Sequence, residues 1–443
     1  MKTTKFGEHI AYKNMDRSFE DDLSNEIRKN KFSDFSPEGI TSYLTYRHPI
    51  GKYTMFKDYQ KLPFGFSEEG CNWYPNFNIK NDDFITAKNK VEELLLESIK
   101  KLTKDKEKIA VTISGGVDSS LIAAMLRKIY PNKELYSYCA GFYGDDEFEY
   151  ARIVAQDNNF IHSEFRLGKE DFLEKKSLLK ELIKFKAAPL HPNELPLAYI
   201  EKEAKKDGMD IVLCGEGADD IFGGYGQNFR MYMNYEHKES FFKFLLDRYR
   251  YFSLEDRKII KEKYLVNDFE LTINSLNLEH LNFDIRNWAI YFTQVLHTPG
   301  LITRGANAMR YNGFPLGFPY IEQNLVEYVN SLPFEYKVAW KSEDDKNNAL
   351  GKSYREISEK YDIPKMLLKK IAENYLNNNI IYRPKKGFPV PFNLWLEDVN
   401  SWNLNTRVFK SKDISAFNGW KKFMIINLSL FCDTFEEYIK DEI

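Results

Sequence analysis

Residues 114–120 read SGGVDSS, placed between the apolar run IAVTI and the helix-like LIAAMLRKIY. Two glycines let a backbone turn tightly and approach an anion, and the amides that open the next helix point at it. Ser114, Ser119 and Ser120 add hydroxyl donors, so Ser114, Gly115, Gly116, Ser119 and Ser120 form a candidate phosphate cradle. It is not a Walker A loop, whose Gly-Lys-Ser/Thr ending is missing. Asp118 is the odd member, because a carboxylate repels phosphate unless a cation lies between them. Mg²⁺ takes carboxylate and phosphate oxygens together, which makes Asp118 a candidate metal ligand. The plainer alternative is a strand-to-helix turn with Asp118 in an N-terminal capping role.

Two further stretches bear on that choice. LCGEGADDIFGGY, from Leu213, repeats the order of apolar strand, glycines and acids. In a parallel sheet its strand end lies on the same side as the first loop, which makes Asp219 a second candidate magnesium carboxylate and leaves Glu216 to face the reacting groups. RPKKGFPVP, from Arg383, sets two lysines among prolines that stiffen the chain. A lysine held on developing phosphate charge is worth about 3–4 kcal/mol, and by position Lys385 is preferred over Lys386.

The elements that must position these residues follow from periodicity. FITAKNKVEELLLESIKKL, between Asp83 and Asp105, has apolar residues three and four apart and predicts an amphipathic helix. Strand and helix patterns then alternate through IAVTI, LIAAMLRKIY, LYSYCAGF, EFEYARIVAQ, FIHSEFRL, a helix through Lys180, LPLAYIEKEAKKDG and DIVLCGEG. That order predicts an α/β fold, a Rossmann-like parallel sheet with helices on both faces and ligands at the carboxyl ends of its strands. After Tyr225 the chain turns to aromatic, leucine-rich and charged stretches that read as mainly helical. The expected division is a leading segment over 1–85, a nucleotide-binding α/β core over 86–230 and a mainly helical remainder over 231–443.

Composition narrows the class. The 443 residues are 43% hydrophobic and 15% aromatic, which excludes a mainly disordered chain, and the net charge of −3 gives no global field for nucleic acid. Cys71, Cys139, Cys214 and Cys432 form no CxxC pair, and His162, His191 and His297 form no metal-spaced group and are expected to be structural or incidental. No secretory or membrane-spanning pattern is present, so a cytoplasmic protein without a membrane partner is expected.

Taken together, SGGVDSS, CGEGADDIFGGY and RPKKGFPVP resemble the synthetase domain of the asparagine synthetase family, within the ATP pyrophosphatases. The likeness runs through most of residues 85–400 and implies an adenine nucleotide alpha hydrolase-like fold. It implies an ATP- and Mg²⁺-dependent ligase that converts a carboxylate to an acyl-adenylate with release of pyrophosphate, then transfers ammonia to it with release of AMP. On that resemblance Ser114, Gly115, Gly116, Ser119 and Ser120 hold the pyrophosphate, backbone near Ile113, Ala140 and Gly215 lines the nucleotide pocket, and Asp118 with Asp219 binds Mg²⁺. Lys385 stabilises the charge that develops, and Glu216 takes a proton from the attacking ammonium. FSPEGITSYLTYRHPIGKYTMFKDYQKLPFGF, from Phe35, resembles the tail of the family's glutaminase domain and its linker. Residue 2 is Lys where such glutaminases expose a cysteine, so ammonia is expected to be free or to come from a separate glutaminase partner.

Two departures concern the acceptor. Where the family reads LExRVPFLD, residues 314–322 read FPLGFPYIE, with Pro315 and Gly317 in place of a glutamate and an arginine. Where many members read DEP, this chain has Lys186, Ala187 and Ala188. Loss of polar partners allows a non-aspartate acid, such as a sugar uronate or a peptide or natural-product carboxylate. Structural drift with the substrate unchanged, and a catalytically silent nucleotide-binding scaffold, are the other readings; a tRNA-modifying ligase is disfavoured by the near-neutral charge.

Overall fold

The computed structural model describes residues 4–14, 19–67, 69–71, 73–144, 146–173, 178–225, 230–234, 238–276, 282–384, 387 and 390–440. The leading residues place helix α1, Pro37–Tyr46, beside a small antiparallel sheet. Ser36 caps α1 by accepting from the Gly39 amide, Pro37 fits its first position, and the helix stops where Arg47 turns into the left-handed region at φ 67°. Helix α2, Phe84–Thr103, follows the expected amphipathic pattern and is capped by Asp83.

The expected strands form β1 (Ile109–Thr112), β2 (Leu135–Phe142), β3 (Ile161–Leu167) and β4 (Ile211–Leu213). A short fifth strand, β5 (Leu316–Gly317), was not foreseen and completes an all-parallel sheet in the order β5-β4-β1-β2-β3. β4 is buried at every position and β1 at all but its last, so alternate side chains on both faces are covered by helices. The chain leaves β1 toward β2 on one side, while β4 joins it from the other. The carboxyl end of β1 is therefore the point where the strand order reverses, the place where such sheets bind ligands.

Helices α3 (Val117–Ile129), α4 (Phe148–Asp157) and α5 (Glu194–Lys206) connect the strands, and α6 (Thr298–Asn312) packs against α5. The remainder is largely helical, with α7 (Met366–Ala372) and α8 (Gly419–Phe435). No helix among the described residues is long and apolar enough to cross a membrane.

The leading residues are built into the same hydrophobic core as the sheet. Phe32, Phe35, Phe56, Phe431 and Phe435 pack ring on ring, joining that segment to α8. Asn427 of α8 is fully buried and spends its amide on Tyr43 Oη at 3.0 Å and on the carbonyl and amide of Leu190, fixing α1 and the approach to α5 at once. On the other side, the Tyr251 and Phe252 amides donate to the Thr45 and Leu44 carbonyls at the end of α1. Asp268 anchors that stretch by accepting from Arg250 at 2.7 Å and pairing with Arg257 at 2.7 Å.

Burial alone would raise the Asp268 pKa, but the two guanidiniums outweigh it and hold it below the usual carboxylate value. A group depressed in the folded state stabilises above its unfolded pKa, about 3.9, and loses that contribution as pH falls through the folded value. Asp268→Asn is expected to cost about 3 kcal/mol at pH 7 in urea unfolding, the range for breaking one partner of a buried pair. The gap from wild type should begin to narrow below about pH 4 and close as the pH falls through the folded value; a gap that stays constant throughout that fall would show that the charge is not what Asp268 contributes.

Candidate active site

The phosphate-loop candidate begins at the end of β1, where the Ile113 amide still donates to the Tyr138 carbonyl at 2.9 Å. Gly115 has φ +70°, and a Cβ there would lie 2.3 Å from Tyr150 Cβ, so both conformation and space demand glycine. Gly116 is the cap residue of α3, which has no side-chain cap; Asp118 is the second residue of the helix, within its first turn, and does not cap it. Ser119 Oγ accepts from the Ser114 amide at 3.1 Å and lies 3.2 Å from Ser114 Oγ, which closes the loop over the helix start. Ser120 is fully buried on the core side of α3 and does not line the cavity.

The second loop comes within contact of the first. A Cβ on Gly215 would stand 3.1 Å from the Ser119 amide nitrogen, and one on Gly224 would fall on Asp219 and Lys365. Glycine at 215 lets the acidic loop close against the phosphate-loop candidate, and glycine at 224 leaves space for the Asp219–Lys365 pair. Around this junction lies a cavity of about 820 Å³, lined by Ile113, Ser114, Gly116, Asp118, Ser119 and Ala140. Gly215, Glu216 and Asp219 complete this wall of it.

A residue that the motifs did not reveal ties the loops together. Lys365 Nζ lies 2.5 Å from Asp118 Oδ2 and 2.7 Å from Asp219 Oδ1 and is almost wholly buried. Burial works against its charge, yet the two carboxylates prevail and raise its pKa. Asp118 and Asp219 thus converge on one cation position, as two ligands of a divalent ion would. No group of three or more His, Cys, Asp or Glu side chains suited to a metal occurs among the described residues. The donor set therefore fits an ion completed by ligand oxygens such as phosphate.

Lys369 and Arg383 line the same cavity. Arg383 pairs with Glu147 and covers the Tyr150 ring, 4.2 Å from its centroid, beside Gly115. Lys385 lies outside the described residues; Arg383 and Gly387, on either side of it in sequence, line the cavity.

Glu216 has a fixed partner. Arg304 Nη2 donates to Glu216 Oε1, leaving Oε2 without a donor among the described residues. Arg304 also reaches His191 Nδ1 at 3.2 Å. His297, set on a π-helical turn over Thr293–His297, meets Asp220 at 3.0 Å. His191 and His297 both line the cavity, whereas His162 bonds Ser137 away from it. Nothing in their spacing signals this, because α5, α6 and the acidic loop meet only through the fold. Cys139 and Cys214 also line it, but burial first, with nearby acids, pushes both thiols up to about 12, so neither is a ready nucleophile.

Residues 90–422 match the asparagine synthase family. The chain belongs to that family. It is 24% identical over 357 residues to a putative glutamine-hydrolysing asparagine synthetase 1 of Methanocaldococcus jannaschii, covering 78% of this chain and 55% of the relative. It is 26% identical over 338 residues to asparagine synthetase 1 of Bacillus subtilis, covering 71% and 51%. The chain thus spans about half the length of these asparagine synthetase relatives.

The two departures from the family pattern have structural reasons in this member. Gly317 lies in β5, where a Cβ would meet Leu213 Cδ2 at 2.8 Å, and the Pro315 carbonyl accepts from Val212. Lys186 pairs with the buried Glu194 at 2.7 Å, and Ala187 takes a left-handed φ of 56° at the turn. None of Pro315, Gly317, Lys186, Ala187 or Ala188 lines the cavity.

Lys365→Met removes the cation that Asp118 and Asp219 share. It is expected to lower the stability of the ligand-free protein by about 2–4 kcal/mol in urea unfolding, less than a fully buried pair because both carboxylates retain some solvent contact. A loss under about 0.5 kcal/mol, the level of an ordinary surface change, would mean that the lysine does not hold the loops together.

Proposed function

We propose that the chain is an ATP-dependent amide-forming ligase. A carboxylate oxygen of the acceptor attacks the α-phosphorus of ATP, the bond to the β-phosphate oxygen breaks and pyrophosphate leaves. Ammonia then attacks the acyl carbon of the adenylate, the acyl carbon–oxygen bond breaks and AMP leaves. The observation that carries this reading is the contact of two loops, one glycine- and serine-rich and one acidic, at the sheet's switch point, with Asp118, Asp219 and Glu216 on one cavity. Membership of the asparagine synthase family supports it.

In this reading the Ser114–Ser119 loop binds the pyrophosphate end through backbone amides and hydroxyls, and Ile113, Ala140 and Gly215 border the nucleotide. Mg²⁺ held by Asp118 and Asp219 would neutralise phosphate charge. Lys365 and Lys369, with Lys385 from the lysine loop, place positive charge where the leaving pyrophosphate develops negative charge. Glu216, oriented through Oε1 by Arg304, offers Oε2 to take the proton released as ammonium becomes the amide nitrogen. The nitrogen is free ammonia or comes from a separate glutaminase.

The purified protein incubated with ATP, Mg²⁺, ammonium and a panel of carboxylic acids including aspartate should yield AMP and one matching amide by mass spectrometry. Absence of AMP with every acid and with a glutaminase present would sink the ligase reading. Glu216→Gln should keep acid-dependent pyrophosphate exchange while losing at least about 100-fold in amide formation, the lower range for a positioned general base. Undiminished amide yield would refute the role given to Glu216.

A further inference from the structure

Asp220, the last acid of the acidic loop, is fully buried. Among the described residues its carboxylate has one hydrogen-bond partner, His297, whose Nδ1 stands 3.0 Å from Oδ1, while Oδ2 has none. An ionised carboxylate can only accept, so Nδ1 donates and, in the neutral ring, Nε2 carries the lone pair. No described residue bonds Nε2, and His297 lines the cavity. The Tyr225 and Tyr249 rings stand against the imidazole, with centroids 5.3 and 5.7 Å away, and restrict its tilt.

The fold brings this pair to the same cavity as Glu216. His297 ends a π-helical turn, a rare conformation concentrated at functional sites, and α6 continues from it. His297, Leu301 and Arg304, at i, i+4 and i+7, form one face of that helix and all line the cavity. Two ties run from this face to the acidic loop, Arg304 to Glu216 and His297 to Asp220, two turns or about 10 Å apart along the helix. His191, the other histidine on the cavity, is wired the opposite way. Its Nδ1 accepts from the Asn193 backbone N–H at 3.1 Å, so the ring proton is on Nε2. Burial first, then the Arg47 and Arg304 charges, pull its pKa well down, and the neutral ring presents only a donor.

Amide formation from dissolved ammonia has a proton count that one base does not meet. At neutral pH ammonia, like other simple amines, is almost wholly protonated and has no lone pair to attack with. One proton must leave before attack and a second after the carbon–nitrogen bond has formed, yet Glu216 has one oxygen, Oε2, without a donor among the described residues. We propose that His297, oriented by Asp220, is a second catalytic base that takes the first proton, so that the chain uses ammonium from solution as its nitrogen donor. This rests on the ligase reading above. Ammonium gives one proton to His297 Nε2, and the freed lone pair bonds the acyl carbon while the carbonyl pair moves to oxygen. Glu216 Oε2 takes the second proton, the carbonyl pair returns, and AMP leaves with the electrons of the acyl carbon–oxygen bond. Both protons pass to solvent. His297 is the catalytic residue, and Asp220 positions it.

Hydroxylamine separates the two bases, because it is neutral at a pH where ammonia is protonated and needs only the second proton removed. The full-length protein is incubated at neutral pH with ATP, Mg²⁺ and aspartate, or whichever acid of the panel above releases AMP, and with ammonium or hydroxylamine. Amide and hydroxamate are then quantified by mass spectrometry. His297→Gln should lower kcat/KM for ammonium about 100-fold, the lower range for a positioned base, and lower that for hydroxylamine at least about tenfold less. Asp220→Asn, whose amide can turn the ring to the other tautomer, should show the same split. Glu216→Gln should lower both alike.

An equal loss with both nucleophiles in a cooperatively melting His297→Gln would overturn the role, since a residue that only supports the fold makes no such distinction. Undiminished use of ammonium by that variant would overturn it as well. If His297→Gln does not fold, an unsplit loss or no loss in Asp220→Asn overturns it equally. Wild type that makes neither AMP nor hydroxamate with any acid would remove the ligase reading and this role with it. AMP release with an unsplit loss would remove the role of His297 alone.

Discussion

The site depends on one cation placed between two carboxylates. Asp118, Asp219 and Lys365 come from three distant parts of the chain; the acidic loop comes close enough to the glycine- and serine-rich loop that a Cβ on Gly215 would be tight against Ser119, and Asp219 with Lys365 leaves no room for one on Gly224. Two acids at that range repel each other unless a positive charge lies between them. Lys365 provides it from a strained position, since it holds a left-handed φ of 56° at the start of α7, a conformation that costs a non-glycine residue about 1 kcal/mol or more. The ion pairs offset that strain. A divalent cation that brings phosphate oxygens would meet the same electrostatic need, so the ligand-free arrangement is already organised around a positive centre.

Behind this centre the polar groups divide into two kinds. Some are fully matched and serve as scaffold: Asn427 holds Tyr43 and Leu190, and Asp268 holds Arg250 and Arg257. Because low-dielectric surroundings strengthen such bonds, they fix the end of α1 and the approach to α5. That is where Arg47 and His191 emerge, and these carry the unmatched donors. Rigid, satisfied networks thus support unsatisfied groups on the cavity wall, and the leading residues become a structural part of the same core as the sheet through the Phe32, Phe56 and Phe431 cluster.

Much of the sheet was legible because its signals are local. IAVTI, LYSYCAGF and FIHSEFRL are apolar runs between helical patterns, and each formed a parallel strand near its expected bounds. β5 escaped notice because two residues between prolines carry no periodicity, and their strand character comes from pairing with β4. The linear sequence left a capping role open for Asp118 beside the favoured ligand reading, and only the boundary of α3 at Val117 excludes the cap. Ser120 resembles Ser119 in sequence, but successive helical positions face different ways, and one lies in the core.

The sequence by itself determined the parallel α/β class, the position of the glycine- and serine-rich loop after β1 and the set of acids around it, because strand periodicity, glycine requirements and charge are properties of short segments. The tertiary structure alone decided that Lys365 clamps the two loops, that Arg304 orients Glu216, and that Arg47 and His191 share a wall with them. Those contacts join residues tens to hundreds of positions apart, and the helix packing that creates them leaves no trace in local spacing.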